Sequence, residues 1–553
     1  MKKKVLLILI GVTLLLIAAC GQTEQAVQPP PATPAPPAAP PAAGQPEDPA
    51  PPEEEDDGLY LADMPGAQPF DPTLNPEIVH VTYWIGRTLP ASDAQAQVQE
   101  VINEITRAAL NIEVDISWFD NATFREVTAP RIAAGEDIDL MLTTTAGAAH
   151  FAQLLNNRML LPICDLLDNF APDIMEAMPP VRWDAMRGPS GLVYGMPLFS
   201  NRATTMGLMV VREWFEELGW QPEDVQTMDD VINLLRDFNA LYPDKLAISG
   251  DHRSLNFTHP AGHGIMTGRY FDALGDPTGV AAVVEFYPDG TSDFRVVNRY
   301  TTEEFTLMRR ALQTMYNEGL VDRDTAIAPV RGNPLAVNER VFAQVHVTDP
   351  FGLQNQIVAK IHEPLWLPLK EGVYSTHSAT QFSWVIPITS AVPEHATKLL
   401  NMMFVNEDLV NTWINGIEGV HHIVAPNGQF DFPPGVNAQN AVYWPGGERS
   451  WPNTTLPNTW VGQNPDLPAQ ERELIHTSLN SPLLGFSITP TDAIRDIQGM
   501  IGVIARDEFG PFIFTGAASD ELFDEFIDRL YGAGMQTFLD EVQRQLDEWL
   551  ANR

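Results

Sequence analysis

The chain has 553 residues, with 33 Lys and Arg against 72 Asp and Glu, a formal net charge of −39 and two cysteines. A polyanion of this kind is repelled by nucleic acid and by anionic membrane surfaces, so charge-driven binding to either is excluded. Two cysteines exclude a disulfide framework, while 12 Trp and 26 Phe supply bulk for a large core with some aromatics left for ligand work.

At the N-terminus, Lys2, Lys3 and Lys4 precede an apolar run from Val5 to Ile17 and the step Ile17-Ala18-Ala19-Cys20. The run is too short for a comfortable transmembrane span and has the three-part build of a secretory signal. A cysteine directly after the small residues resembles the bacterial lipobox. That resemblance implies a signal peptide over 1–19, acylation of Cys20, and attachment to the extracytoplasmic face of the cell membrane. With Cys20 acylated, Cys164 has no intramolecular partner, and its apolar setting in Leu160-Leu161-Pro162-Ile163-Cys164-Asp165-Leu166-Leu167 reads as an inert buried thiol. Residues 21–58 are dominated by Pro, Ala, Gln and acids, including Glu53-Glu54-Glu55-Asp56-Asp57. Such a stretch cannot form a core; extended, it reaches on the order of 100 Å and acts as a tether, placed here over 20–75. No second apolar run approaches the length of a membrane span.

The globular part begins with Ile78 to Ile85, β-branched and aromatic, which predicts a first strand. Val98, Val101, Ile102, Ile105 and Ala109 recur at helical spacing, and Ile112, Val114, Ile116 and Trp118 alternate as a second strand. A helix from about Phe124 to Ala134 should end at Gly135, and Ile138 to Thr143 form a third strand. Strand, helix, strand, helix, strand implies parallel pairing in an α/β sheet. The middle of the chain alternates in the same way, with a strand over Met206 to Val211 and helices through Val231, Leu234, Leu235, Phe238 and Leu241 and through Phe305, Met308, Leu312, Met315 and Tyr316. Further strands are expected at Val341 to Val347 and Phe382 to Ile388. Pro, Gly and Asn predict long loops over 420–465, and an amphipathic helix runs from Met535 to Leu550.

Several segments, in order, resemble the extracellular solute-binding proteins of ABC importers, the broad group that includes maltose-binding protein. They are Ala133-Ala134-Gly135-Glu136-Asp137-Ile138-Asp139-Leu140-Met141, Met159-Leu160-Leu161-Pro162-Ile163-Cys164-Asp165-Leu166, Gly191-Leu192-Val193-Tyr194-Gly195-Met196-Pro197 and Val211-Arg212-Glu213-Trp214-Phe215-Glu216-Glu217-Leu218-Gly219. Gly416-Ile417-Glu418-Gly419-Val420-His421 and Gln543-Arg544-Gln545-Leu546-Asp547-Glu548-Trp549 are similar to a lipoprotein subgroup associated with oligosaccharide, including aldouronate-type, uptake. Glu136-Asp137 lacks the group's usual Pro, and 420–465 has no matching segment. The resemblance implies a two-lobed, type II periplasmic-binding-protein-like α/β fold with a ligand cleft between lobes. It places the first lobe at 76–203 with 380–418 and the second at 204–379 with 419–553. The implied partners are a small solute, an oligosaccharide in the first instance, and the importer's permease subunits; the implied state is a monomer without cofactor.

Sugars present apolar C–H faces and a rim of hydroxyls, so their sites pair aromatic rings with planar polar groups. Trp84 ends the first strand and is either a stacking platform or a core indole. Thr143, Thr144 and Thr145 follow the third strand and either donate hydroxyls or cap a helix. Arg202 sits at the expected first crossover, Asp349 and Phe351 close the strand before the return, and Trp384 lies near the second crossover. Trp451 and Trp460, in the unmatched loops, are placed to wall the cleft, while Tyr194 reads as packing. No nucleophile elbow, phosphate loop or His-Glu-x-x-His is present, so no catalytic residue is assigned. His259-Pro260-Ala261-Gly262-His263 has ligand spacing, but Pro260 and Gly262 oppose a helix, so no metal site is assigned; His421-His422 read as loop polar groups. A secreted glycan hydrolase, or a receptor for peptides or other polar metabolites, is the alternative.

Overall fold

The computed structural model describes residues 78–87, 93–145, 147–203, 205–249, 257, 264–276, 281–323, 339–348, 363–437, 440–443, 451–492 and 494–553. The signal, Cys20, the tether, the His259–His263 pair, Asp349 and Phe351 lie outside them.

Strand β1 (Val79–Arg87) leads to the helix Asp93–Leu110, which buries Val98, Ile102 and Thr106 and returns the chain to β2 (Ile112–Asp120). β1 and β2 pair in parallel along their whole length, from Val79↔Ile112 to Arg87↔Asp120. The helix is stitched to the strand it feeds: Val114 N donates to Asn103 Oδ1 at 2.8 Å and Thr106 Oγ1 to the Ile112 carbonyl at 2.8 Å. Asp120 then caps the helix Asn121–Ala133 through the amides of Ala122 and Thr123, both at 3.0 Å. Gly135, at φ +80°, closes that helix by donating to the Ile132 carbonyl, a left-handed position that favours glycine. β3 (Leu140–Leu142) docks in parallel on the free side of β1. The acid just before β3 is structural. Buried Asp139 accepts from Thr82 N at 2.8 Å, Ser390 Oγ at 2.7 Å and Ala391 N at 3.0 Å, tying β1 to the start of the helix Pro393–Val405.

β4 (Met196–Pro197) is the last strand before the chain leaves for a second sheet. That sheet is built on β5 (Thr205–Val211), β6 (Leu246–Ile248), β10 (Val341–Thr348) and β11 (Pro364–Lys370), in the order β11-β5-β10-β6. Here the expected parallel pairing gives way to a mixed sheet: β10 and β11 flank β5 antiparallel, and only β10 and β6 run parallel. The helix Met228–Leu241 opens with a reciprocal cap between Thr227 and Asp230 and buries Phe238 against Phe342, rings 4.2 Å apart and 7° from parallel. A third sheet, β7 (Tyr270–Asp272), β8 (Ala282–Phe286) and β9 (Val296–Asn298), is an antiparallel meander. Its core is closed by the helices Glu303–Asn317, Asp520–Gly532 and Met535–Ala551 through Tyr300, Phe305, Phe526, Phe538 and Val542. The chain returns at β12 (Ser383–Val385), antiparallel to both β3 and β4, completing the first sheet as β2-β1-β3-β12-β4.

The lobe boundary differs from the expectation in one segment. Among the described residues of 419–477, Tyr443, Trp451, Asn453 and Ile475 pack on the first lobe, not the second. Tyr443 Oη donates to the Trp413 carbonyl at 2.5 Å, Trp451 Nε1 to that of Met403 at 2.7 Å and Asn453 Nδ2 to that of Phe404 at 3.0 Å; Tyr443, Trp451 and Ile475 belong to the core of the first sheet. Only from Leu483 and Phe486 onward do side chains enter the core of the meander and C-terminal helices. The loops lack strand pattern but carry indoles and a tyrosine, whose polar atoms bond to carbonyls of the helices Pro393–Val405 and Glu407–Asn415. Two-residue strands β13 (Ile423–Val424) and β14 (Phe430–Asp431) are the regular pairing described within the loop segment.

Candidate functional site

β1, β3 and β4 end, and β12 begins, at one edge of the first sheet, and there the chain passes between lobes. Among the described residues three passes do so: 198–204 from β4 to β5, 371–382 from β11 to β12, and 478–482 from the helix Leu467–Thr477 into the C-terminal helical segment. The second and third passes run side by side, with Tyr374 N donating to the Leu479 carbonyl at 2.8 Å and Ser481 N to that of Tyr374 at 2.9 Å. Ser481 Oγ also donates to Asp272, a buried carboxyl whose affinity for its proton is raised by desolvation. Open α/β sheets bind ligands at such strand-end edges, because strand ends and loops there leave backbone groups free.

The indoles are not at that edge as surfaces. Trp84 is 2 % exposed, with its ring 4.9 Å from that of Phe119 and the Arg131 guanidinium 5.3 Å from its centroid. Trp384 is 1 % exposed and stacks on Tyr83 at 5.5 Å; Trp451, 3 % exposed, packs edge-on against Trp384 and Trp413. Trp460 is buried against Phe432 and donates to Asn415 Oδ1 at 3.1 Å. In this conformation all four are buried: Trp84 and Trp384 on strands whose faces are covered, Trp451 and Trp460 in loops packed against the helix Glu407–Asn415 and its neighbours.

The polar candidates remain near the edge. Thr143 is mortar between β3 and β12, its hydroxyl accepting from Ser383 N at 2.8 Å and its amide donating to Ser383 O at 2.9 Å. Thr144 is buried with its amide on the Ala149 carbonyl, and Thr145 Oγ1 accepts from Arg125 Nη2 at 3.0 Å. Arg202, on the first pass, is buried and lays its guanidinium 5.0 Å from the ring centroid of Phe382, half-buried on the second pass. In sequence Phe382 reads only as a strand residue; the meeting of two passes makes it a site candidate.

Two histidines also meet here. His150 precedes the helix Phe151–Asn156, directly after the Thr144–Thr145 loop, and His377 lies on the short helix Thr376–Thr380 of the second pass. Burial, with a smaller contribution from His377, pushes His150 down to about 4. Burial also lowers His377, against the pull of Asp276 from the second lobe. His150 Nε2 and His377 Nδ1 have no hydrogen-bond partner among the described residues, while His377 Nε2 lies 2.7 Å from the Gln381 amide nitrogen. No sequence signal links these two positions. His421 and His422, by contrast, are buried structural groups: His421 Nδ1 accepts from Ile417 N at 3.0 Å, and His422 stacks on Phe430 at 4.1 Å. Among the described residues no cluster of three or more His, Cys, Asp or Glu is placed to hold a metal ion.

Residues 482–551 match a family described as a domain of unknown function, DUF3502. A carbohydrate ABC transporter substrate-binding protein of Streptococcus pneumoniae is 20% identical over 476 residues, covering 83% of this chain and 88% of its own. Among solved structures, the N-glycan transport solute-binding protein of the same species superposes with a TM-score of 0.71 at 18% identity, covering 86% of this chain and 99% of that one. A solute-binding protein of Bifidobacterium longum infantis, described as binding HMO and associated with an ABC transporter, gives 0.55 at 15% identity over 85% and 99%. The chain has the two-lobed α/β fold of the ABC-transporter solute-binding proteins.

Proposed function

We propose that this protein is a lipid-anchored receptor that captures an oligosaccharide outside the cell and delivers it to an ABC importer. The observation that carries this reading is the edge where three passes join two lobes, in a chain alike over most of its length to a carbohydrate transporter's binding protein and to an N-glycan-binding one. Two lobes on three narrow passes can hinge over a solute, which suits capture and release better than turnover. The receptor acts as a monomer, needs no cofactor and performs no chemistry on its cargo.

For the site itself, Arg202 and Phe382 are the best-supported pair: a planar donor behind a ring that keeps part of its surface open. Thr144 and Thr145 supply hydroxyls from the first lobe. Asp349 and Phe351, outside the described residues, are proposed as an acceptor and a ring from the second. Trp84, Trp384 and Trp451 are assigned to the core beneath.

Calorimetric titration of the purified protein against a panel of oligosaccharides and peptides tests this. Saturable binding of a glycan, recovered unchanged by chromatography, is the expected result; binding confined to peptides, or cleavage of the glycan, would replace the reading. Phe382→Ala should weaken that binding by roughly 5- to 150-fold, the cost of about 1–3 kcal/mol for a lost stacking ring. Cys20→Ser should release the protein from the membrane fraction or block its processing. A mutant that stays in that fraction, processed as before, rules out the anchor.

A further inference from the structure

One buried guanidinium touches two of the passes and the helix that feeds the third. Arg182, 1 % exposed on the 3-10 turn Pro180–Met186, donates from Nη1 to the Ser200 carbonyl at 2.6 Å and from Nη2 to the Ile475 carbonyl at 2.9 Å. Its third contact is the Tyr374 ring, with the guanidinium carbon 4.1 Å from the centroid. Ser200 lies on the first pass and Tyr374 on the second. Ile475 is in the last turn of the helix that feeds the third, where carbonyls lack partners within the helix. From the same helix, buried Glu471 accepts from Asn201 N at 2.7 Å and Ser200 Oγ at 3.2 Å. Burial disfavours the arginine's charge, while Tyr374 and Glu471 favour it. A planar fork with fixed donors can hold separate backbones at once, and a desolvated charge resists losing its acceptors.

We propose that Arg182 is a positioning residue for capture: it locks Ser200, Tyr374 and the end of the helix Leu467–Thr477 into one rigid block. Lobe closure then bends the chain on the second-lobe side of Asn201, Tyr374 and Ser481, and not within the block. The same lock holds the first pass where Arg202 meets Phe382; Arg202 lies close enough to Tyr374 to act on its phenol. This rests on the receptor reading, so the test is made without ligand, where its failure is separable from a failure to bind glycan.

Hydrogen exchange of the unliganded full-length protein, resolved to single amides, is the measurement. Arg182→Met should speed exchange at Asn201, Tyr374 and Ser481 by at least tenfold, with amides of β1 and β10 as protected as in the wild type. Glu471→Gln keeps the arginine and should loosen Asn201 while leaving Tyr374 unchanged, which decides the matter if Arg182→Met does not fold. Unchanged exchange at Asn201, Tyr374 and Ser481 in Arg182→Met, or at Asn201 in Glu471→Gln, overturns the proposal. So does an equal loss of protection in β1 and β10, which marks a residue that merely holds the fold.

Discussion

His150 shows how burial at a single residue becomes a pH response. Its folded value of about 4 compares with about 6.5 for an exposed imidazole. Between those values the unfolded chain binds the extra proton, so stability rises with pH through the window and is lost as pH falls from about 6.5 to about 4. The full gap corresponds to on the order of 3 kcal/mol. Urea midpoints at pH 7 and pH 4.5 should therefore converge in His150→Gln relative to the wild type; parallel loss in both proteins would acquit His150. Trp84 makes the complementary point. A ring closed in by Phe119 and Arg131 should cost about 3–5 kcal/mol of stability when cut to alanine. A thermal melt reads this directly, and a Trp84→Ala protein with an unchanged melt but weakened glycan binding would restore the platform reading.

Among the elements, the second-lobe sheet depends on a close approach. A methyl group at Gly207 would stand 2.2 Å from the Leu367 carbonyl across the β5–β11 pair, so only glycine lets these strands reach bonding distance. Gly207→Ala should destabilise the protein by about 1–3 kcal/mol or more and preferentially expose β11 amides to hydrogen exchange. A neutral Gly207→Ala would mean that the strands can separate freely. Long elements are legible without the fold: the helices at 93–110, 228–241, 303–317 and 535–551 appear where their apolar spacing predicts them, because a stripe over three or more turns has few alternative readings. β4, β6, β7 and β9 hold three residues or fewer, and no periodicity can be read from so short a run; β12 falls within the strand expected at Phe382 to Ile388 but is shorter. Their pairing is set by partners far away in sequence, as when Trp384 pairs with both Leu142 and Met196.

Across the molecule, the C-terminal segment is part of a shared core and not an appendage. Leu483, Phe486, Phe526, Phe538 and Val542 pack with Leu274, Val284, Tyr300 and Phe305. A chain ending at Ser481 should leave those last four side chains exposed and fail to fold cooperatively, seen as lost near-ultraviolet circular dichroism and rapid proteolysis of the meander. A truncated protein with a sharp melt would show that residues 482–551 are dispensable.

The signal-like N-terminus, the tether composition and the long amphipathic elements are readable from the amino acids alone, since each rests on local composition or on spacing within one segment; the two-lobed class rests on the resemblance to solute-binding proteins. Folding was needed to reveal which core the described residues of 419–477 join, that the candidate indoles are buried, and that Arg202 meets Phe382 and Arg182 meets Tyr374. Strand alternation leaves two faces for every side chain, and only the packing of distant helices and loops determines which face is covered. The grip of one guanidinium on Ser200, Tyr374 and Ile475 joins positions from three separate parts of the chain, a relation that exists only once the chain has folded.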